Sequence, residues 1–599
     1  MRLSKLYANN GTVFEPVTFE PGLNVIRAEI RVPANRQKNT HNLGKTTLGH
    51  LINFALLSKR HSKFFLFKHI EIFRDFVFFL EVERPDGSFV TVRRSVEHAS
   101  KISLRSHAGR HLDLSDLPEA EWDHAGVPFD RAKEILDGIL DLRVLKPWSY
   151  RKVVGYLIRA QADFGQVFQL KKFSAAHSDW KPFLAHLLGF DGQLVARHYA
   201  KEGELEKEQA QESVIQRELG GGSVADLSKV EGMLQLKRRD ADRRAQLLDA
   251  FDFREDDRLQ TSLVADELDS RIAELNGERY TLAATRKKVA AAIADDDILF
   301  DPNKASEVFK DAGVLFPDQL KKDFQQLIAF NREITEERSA YLKEELAEIE
   351  TSLNKVNEAL HDLGRRRTEA LAFLGTSDTF EKYKALTDEL VTLRADIKSL
   401  ERQREFVGRL QALRARIRRL AEEKEHLQAE VEANVERNNS DSSSMFSSVR
   451  LYFDEIVERV IDRKALLSVS PNRFGHLEFQ ADILDESGNA TSADLGNTYR
   501  KLLCMAFDLA LARAHFEDRY PRWVFHDGAL ESLDDRTKRN LVDLLREYSS
   551  LGIQIIVTAI DSDIPSDSED GGEVFTASEI IVQLHDEGDD GRLFKMASW

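Results

Sequence analysis

The chain has 599 residues, 42% of them hydrophobic and 31% charged, and 102 acidic against 85 basic side chains give a formal net charge of -17. That length exceeds one ordinary domain and allows a sizeable core, while the acidic balance argues against general coating of nucleic acid, although a local basic face escapes such an average. The lone cysteine, Cys504, excludes an internal disulfide and a cysteine-based metal cluster within one chain, and reads as a core thiol in a reducing compartment. No segment reaches the roughly 18 consecutive apolar residues of a membrane span. Met1-Arg2-Leu3-Ser4-Lys5 leads into no signal-peptide core, so a cytoplasmic protein without membrane contact is expected.

In chain order, Gly22-Leu23-Asn24-Val25-Ile26 after Phe19-Glu20-Pro21 predicts a turn into a short buried strand. The apolar run from Thr46 through Leu51, Ile52, Phe54, Ala55 and Leu57 predicts a helix, and His41-Asn42-Leu43-Gly44-Lys45-Thr46-Thr47 lies between the two. Strand, loop and helix in this order suit a phosphate-binding loop. Glycine lets backbone N–H groups approach phosphate oxygens, the helix N-terminus adds positive potential, and lysine reaches the terminal phosphates. Lys45 is therefore read as the phosphate clamp and Thr46 as a Mg²⁺ ligand, with Asn39, Asn42, Gly44 and Thr47 completing the loop. The pattern G-x-x-x-x-G-K-[ST] is met imperfectly, because Asn39 stands at its first glycine; asparagine tolerates left-handed backbone better than most residues. An insertion, Arg31 to Lys38, brings Arg31, Arg36 and Lys38 near the phosphates. A chance Gly-Lys-Thr at a helix start is the competing reading.

The middle of the chain carries the excess charge and leucine spacing of long helices. Leu268, Ile272, Leu275, Leu282, Val289 and Ile293 step by three, four or seven, as a coiled-coil seam requires. Leu342, Leu346, Ile349, Leu353, Val356, Leu360 and Leu363 return, and a run from Leu386 continues to Leu427. Between them, Asp301-Pro302-Asn303 and Phe316-Pro317-Asp318 mark a tip that is a small helical cap, a docking point or a plain reversal. Each arm of about a hundred residues would reach ~150 Å if unbroken. Gly220-Gly221-Gly222, Phe251 to Asp257 and Gly375-Thr376-Ser377-Asp378 predict breaks, the last two placed for an elbow. Asn438 to Ser444 is a polar joint by composition.

Past that joint, Asp494-Leu495-Gly496-Asn497-Thr498-Tyr499-Arg500-Lys501 opens an apolar helix, Leu502 to Ala514. Trp523-Val524-Phe525-His526-Asp527 predicts a strand ending in an acid, and Asp534 follows seven positions after Asp527. Ile553 to Thr558 is a β-rich run expected to close the sheet, and Asp561 to Glu573 an acidic loop.

On these motifs the chain resembles the SMC and RecN-type coiled-coil ATPases, and more closely the uncharacterised coiled-coil ABC ATPases of bacterial multi-component antiphage defence operons. The resemblance covers the two ends and the coil architecture. It implies an α/β fold: a split ABC-type P-loop ATPase head, its N- and C-terminal lobes joined by a long antiparallel coiled coil. The lobes fall at 1–198 and 438–599, the outgoing arm at 199–294, the tip at 295–333 and the returning arm at 334–437. It also implies ATP and Mg²⁺ as cofactors, with Asp527 as the Walker B acid and catalytic-site metal ligand and Asp534 in the D-loop. Leu495, Gly496 and Asn497 would be the signature loop that meets the opposite protomer's nucleotide, so a homodimer through the heads follows. Gln161, with Gln166 as its rival, is the expected further Mg²⁺ contact at the end of a lobe strand, unless either is a surface amide. The tip lacks the cysteine pair of the zinc-hook subclass.

Two departures bear on hydrolysis. Gly528 stands where the resemblance leads one to expect a water-positioning glutamate, and Ala559 where it leads one to expect a switch histidine. Glu531 and His526 are the substitutes at hand; the default for Glu531 is a solvated loop acid, and His526 is expected to face away, since adjacent strand residues point oppositely. The expectation is an ATPase that is slow or partner-dependent. Its heads would dimerise around ATP to sense or grip DNA or to activate a companion effector subunit. The alternative is an ATP-gated scaffold that scarcely hydrolyses, and a purely structural coil leaves the ordered motifs unexplained.

Overall fold

A computed structural model describes residues 1–32, 43–170, 177–218, 227–250, 255–294, 318–372, 378–491, 496–565, 574–597 and 599. Asn39, Asn42 and Leu495 lie outside them, as do most of the insertion after Arg31, both elbow segments in large part, and most of the tip. The chain divides into two compact units, Met1–Glu202 with Glu422–Trp599, and Gly203–Ala421. The first is mixed α/β and the second consists of long helices.

In the first unit the strands are β1 (Arg2–Ala8), β2 (Val17–Thr18), β3 (Leu23–Glu29), β4 (Val77–Glu83), β5 (Phe89–Ser95), β6 (Lys101–His107), β7 (His124–Pro128), β8 (Ile158–Arg159), β9 (Ala465–Pro471), β10 (Leu477–Ile483), β11 (Trp523–His526), β12 (Gln554–Ile560) and β13 (Ile580–His585). An antiparallel sheet runs β2-β1-β4-β5-β6-β7, and β9 and β10 form a separate hairpin. The sheet that matters for the site is parallel, in the order β13-β3-β12-β11-β8. Its strands come from both ends of the chain. Thr558 pairs with Ile26, and Phe525 with Ile158. Parallel strands are covered on both faces, which is why β12 is rich in Ile and Val and is buried along nearly its whole length.

The Ile553–Thr558 run does not close the sheet. It forms the middle of it, between β3 and β11, and β13 takes the edge beside β3. A second correction concerns Val154–Gln161, read as a lobe strand. Tyr150–Leu157 is a helix capped by Ser149, whose side chain accepts the Arg151 N–H, and only Ile158–Arg159 is strand. Five consecutive buried residues from Val153 fit a buried helix as well as a strand, and the cap decides between them. The polar joint is likewise more ordered than its composition suggests. The helix Asp378–Ser440 runs into it, and Ser444 caps the next helix, Met445–Ile461, by accepting the Ser447 N–H at 3.1 Å. Serine and asparagine favour caps for the same reason they favour loops: their side chains bond nearby backbone.

In the second unit the helices are Leu227–Asp249, Glu255–Ala294, Asp318–Ala372 and the greater part of Gly192–Glu218 and Asp378–Ser440. The returning helix begins at Asp318, inside the stretch 295–333 assigned to the tip. Val289, Ile349 and Leu353 form one buried cluster, with Leu282, Ile293, Leu342 and Leu346 against it, as the leucine spacing requires. Ion pairs fix the direction of the arms. Glu212 meets Arg414, Lys237 meets Asp396, Arg244 meets Glu389, Asp269 meets Arg367 and Arg286 meets Glu350. One partner's number rises as the other's falls, which only an antiparallel hairpin produces.

Candidate nucleotide site

Leu43 and Gly44, the described end of the candidate phosphate-binding loop, are held from the other end of the chain. Leu593 donates its N–H to the Leu43 carbonyl at 3.0 Å, and its side chain crowds Gly44. A Cβ at Gly44 would sit 2.6 Å from the Leu593 Cβ, and Gly44 has φ +103°, so both backbone and space demand glycine there. The helix Lys45–Ala55 starts immediately after it. At Gly49 a Cβ would lie 2.7 Å from the Phe525 ring, so glycine also lets this helix press onto β11. That close approach carries Thr46 to the end of β11.

There the split halves meet. Thr46 Oγ1 donates to Asp527 Oδ2 at 2.6 Å, and Thr558 Oγ1, from β12, donates to Asp527 Oδ1 at 2.7 Å. The Gly528 N–H then donates to Thr558 Oγ1 at 2.8 Å. Asp527 is 0% exposed, and its N–H is taken by the Arg159 carbonyl at 2.9 Å. Beside this group the Lys45 ammonium is buried and has no hydrogen-bond partner among the described residues. Burial pulls its pKa below the usual lysine value, opposed by the negative charges of Glu531, Asp527 and Asp563. An unpaired buried cation is costly, and a phosphate group would pair it.

The loop after Asp527 is equally specific. Gly528 has φ +67°, and the chain turns so that the Glu531 N–H donates to the Gly528 carbonyl at 3.2 Å. The Glu531 side chain is 24% exposed, and its partial burial raises the carboxyl pKa while Lys501 and Lys45 pull it down. It is therefore not the solvated loop acid that charge patterning suggested. Gln161 Nε2 donates to both of its oxygens, at 2.7 and 2.8 Å, from the start of a short 3₁₀ turn. Lys501 Nζ donates to the Gly528 carbonyl at 2.8 Å and the Glu531 carbonyl at 3.1 Å. Gln166 presents its backbone instead: its carbonyl accepts from Arg159 and Cys504.

Asp534 is committed to the fold. It caps the helix Asp535–Ser550, accepting the Thr537 N–H at 3.0 Å and the Thr537 hydroxyl at 2.6 Å, and those bonds lower its pKa. Gly496 caps the helix Asn497–Ala514, and Thr498 Oγ1 donates to the Ser532 carbonyl at 3.2 Å, so the start of this helix leans on the Glu531 loop. Thr47 sits in the first turn of the Lys45 helix. Its neighbour in sequence, Thr46, alone of the two reaches Asp527 among the described residues.

His526 lies on the opposite face of β11 from Asp527, fully buried, with Nε2 3.1 Å from Asp508 Oδ2. Asp508 belongs to a pair that the sequence reading missed. Arg159 Nε and Nη2 donate to its two oxygens at 2.6 and 2.9 Å, and the same guanidinium reaches the carbonyls of Asp163, Gln166 and Val167. Burial works against this charge, but Asp508, Cys504 and the hydrogen bonds raise the Arg159 pKa overall. The signal was a lone base ending the apolar stretch Val153–Ile158 and a lone acid inside the apolar helix Leu502–Ala514. Cys504, on that helix, is buried, and burial pushes its thiol up to about 11.

The residues fit a magnesium nucleotide. Thr46 Oγ1 and Asp527 Oδ2 would hold the ion, a donor set normal for an ion that keeps water and phosphate ligands, while the Gln161 amide nitrogen is engaged by Glu531. Among the described residues, no group of three or more His, Cys, Asp or Glu could cage a metal. No helix among them is long and apolar enough to cross a membrane.

Residues 456–598 match the family model described as "Uncharacterised protein conserved in bacteria (DUF2326)". No curated protein matches the chain. Among solved structures the chain is similar to the Smc head domain with a coiled coil and joint from Pyrococcus yayanosii, at 14% identity and TM-score 0.35, covering 93% of this chain and 92% of that one. It is also similar to the Smc head domain with an extended coiled coil bound to the C-terminal domain of ScpA from Pyrococcus furiosus, at 12% identity and TM-score 0.36, covering 94% and 90%. The strand order and the Thr46–Asp527 junction, not these likenesses, carry the fold of the site.

Proposed function

We propose that this chain is an SMC-like ATP-binding coiled-coil protein whose heads pair around Mg-ATP. One observation carries the reading: a buried Lys45 ammonium, without a hydrogen-bond partner among the described residues, stands beside Thr46 and Asp527, which come from opposite ends of the chain and meet at 2.6 Å. Lys45 would neutralise the terminal phosphates, Gly44 and the helix N-terminus would receive their oxygens, and Mg²⁺, when bound, would neutralise charge on the transferred phosphoryl group. Gly496 and Asn497 would meet the nucleotide of a second copy. The hairpin then carries the nucleotide state to DNA or to a companion effector subunit, and the resemblance supplies antiphage defence as the setting.

The second reading, an ATP-gated scaffold with little turnover, is favoured by the absence of a side chain at Gly528 beside Asp527 and by Ala559 after Thr558. Phosphate release and nucleotide-dependent dimerisation of the purified full chain separate the two, with Lys45→Ala as blank. Release above the blank together with ATP-dependent pairing supports the first reading. Pairing without release supports the second, and wild type that neither binds ATP nor pairs overturns both. Phosphate-dominated DNA binding would weaken steeply with salt, and binding unchanged between low and physiological salt would remove DNA from the scheme.

A further inference from the structure

Two acids follow Asp527 in the same loop, and the structure uses them differently. Both Asp534 oxygens are spent on capping a helix. Glu531 caps nothing: among the described residues its carboxylate accepts only from the Gln161 amide, with the Lys501 ammonium 3.9 Å away. Yet it is half-buried and lies within electrostatic reach of Lys45 and Asp527. Its position follows from the backbone turn at Gly528 and from the Gln161 bonds. A Cβ built on Gly528 would lie 2.6, 2.6 and 2.8 Å from the Glu531 carboxyl carbon and its two oxygens. The carboxylate thus fills the space a side chain at position 528 would enter, directly after the acid that meets Thr46. Gly528 is the residue that vacates this space, and the Lys501 bonds to the carbonyls of Gly528 and Glu531 hold the turn that folds Glu531 into it.

We propose that Glu531 is the catalytic carboxylate of this site, delivered from three residues downstream, with Gln161 and Lys501 as positioning residues. The inference rests on the ATP-binding reading above. In the step it serves, a water oxygen forms a bond to the γ-phosphorus while the bond from that phosphorus to the β,γ-bridging oxygen breaks. ADP leaves with that electron pair, and Glu531 accepts a water proton that it returns to the released phosphate or to solvent. General-base assistance of this kind contributes about 10²–10⁴-fold.

A consequence separates this from a site that has merely lost its glutamate. If the loss were simple, Gly528→Glu would restore turnover. With the space already occupied and φ +67° disfavouring a side chain, Gly528→Glu lowers it instead. The test is single-turnover phosphate release from Mg-ATP by the full chain, with radiolabelled ATP retention measured on the same samples. Glu531→Gln should retain ATP within about twofold of wild type and release phosphate roughly 10²–10⁴ times more slowly. Gly528→Glu should also lose turnover, and Gly528→Glu with Glu531→Ala should recover part of it, because a carboxylate returns to the emptied space. Gln161→Ala should lower kcat by a larger factor than it raises KM, and an unchanged kcat would remove Gln161 from the positioning role. Glu531→Gln releasing phosphate at the wild-type rate, Gly528→Glu exceeding wild type, or wild type no faster than Lys45→Ala despite bound ATP would each overturn the assignment and leave ATP binding standing. Failure of wild type to retain ATP would instead overturn the binding reading, and this inference with it.

Discussion

Each unit of the molecule buries an arginine against an aspartate, and the two pairs behave differently. In the head, Arg159 and Asp508 exchange two well-aligned bonds at 2.6 and 2.9 Å, and three carbonyls take further guanidinium N–H groups. In the helical unit, Arg367 Nε lies 2.8 Å from Asp269 Oδ1, but neither atom has a hydrogen bond among the described residues, and burial pushes the Asp269 carboxyl up to about 6. Proximity is the same. What differs is whether the surrounding backbone offers acceptors, which β8 and its following turn do and a helix flank, with its carbonyls already bonded, does not.

The largest effect that tests this contrast is expected at Asp508→Ala. It strands a buried guanidinium and should cost about 3–5 kcal/mol, read as a lowered urea midpoint for the head. A loss under about 1 kcal/mol would show the pair is not the anchor its geometry indicates. The effect at Asp269 has the opposite sense. Its folded pKa, about 6, stands above its ordinary 3.8, so the folded hairpin holds a proton that the unfolded chain releases. Stability contributed by this group is therefore full below about pH 4 and is lost as pH rises toward 6, by up to roughly 3 kcal/mol. Asp269→Asn should flatten that slope. Helix melting followed by circular dichroism at pH 4.5 and 7 checks it, and identical slopes in the two proteins would contradict the shift. Smallest of all, Arg286→Ala removes a pair 3.8 Å apart and more than half exposed on both sides. It should change the hairpin's melting free energy by less than ~1 kcal/mol, and a larger loss would mean that surface pairs, not the seam, hold the arms together.

Much of this was legible in the residues. Leucine spacing announced the antiparallel hairpin, because a seam needs apolar side chains at three- and four-residue steps whatever the rest of the chain does. Gly44-Lys45-Thr46 and the acid ending Trp523-Val524-Phe525-His526-Asp527 marked the two segments that the fold brings together, Thr46 onto Asp527, because phosphate and metal binding restrict residue types locally. The sequence was misleading where local patterns fit two structures. Val153–Leu157 satisfied both strand and buried helix, and Asn438–Ser444 both linker and cap.

By itself the sequence determined which residues had chemistry to offer and that the chain must double back to unite them. Only tertiary structure decided what each acid does. Asp527, Glu531 and Asp534 are alike in charge and close in sequence, but one is bonded by threonines from two distant segments, one is folded into the space left by Gly528, and one caps a helix. The reason is that hydrogen-bond partners, which fix a carboxylate's role, reach Asp527 and Glu531 from the Lys45 helix and the turn after β8, hundreds of residues away along the chain, and from β12, 31 residues on, whereas Asp534 finds its partner within its own helix.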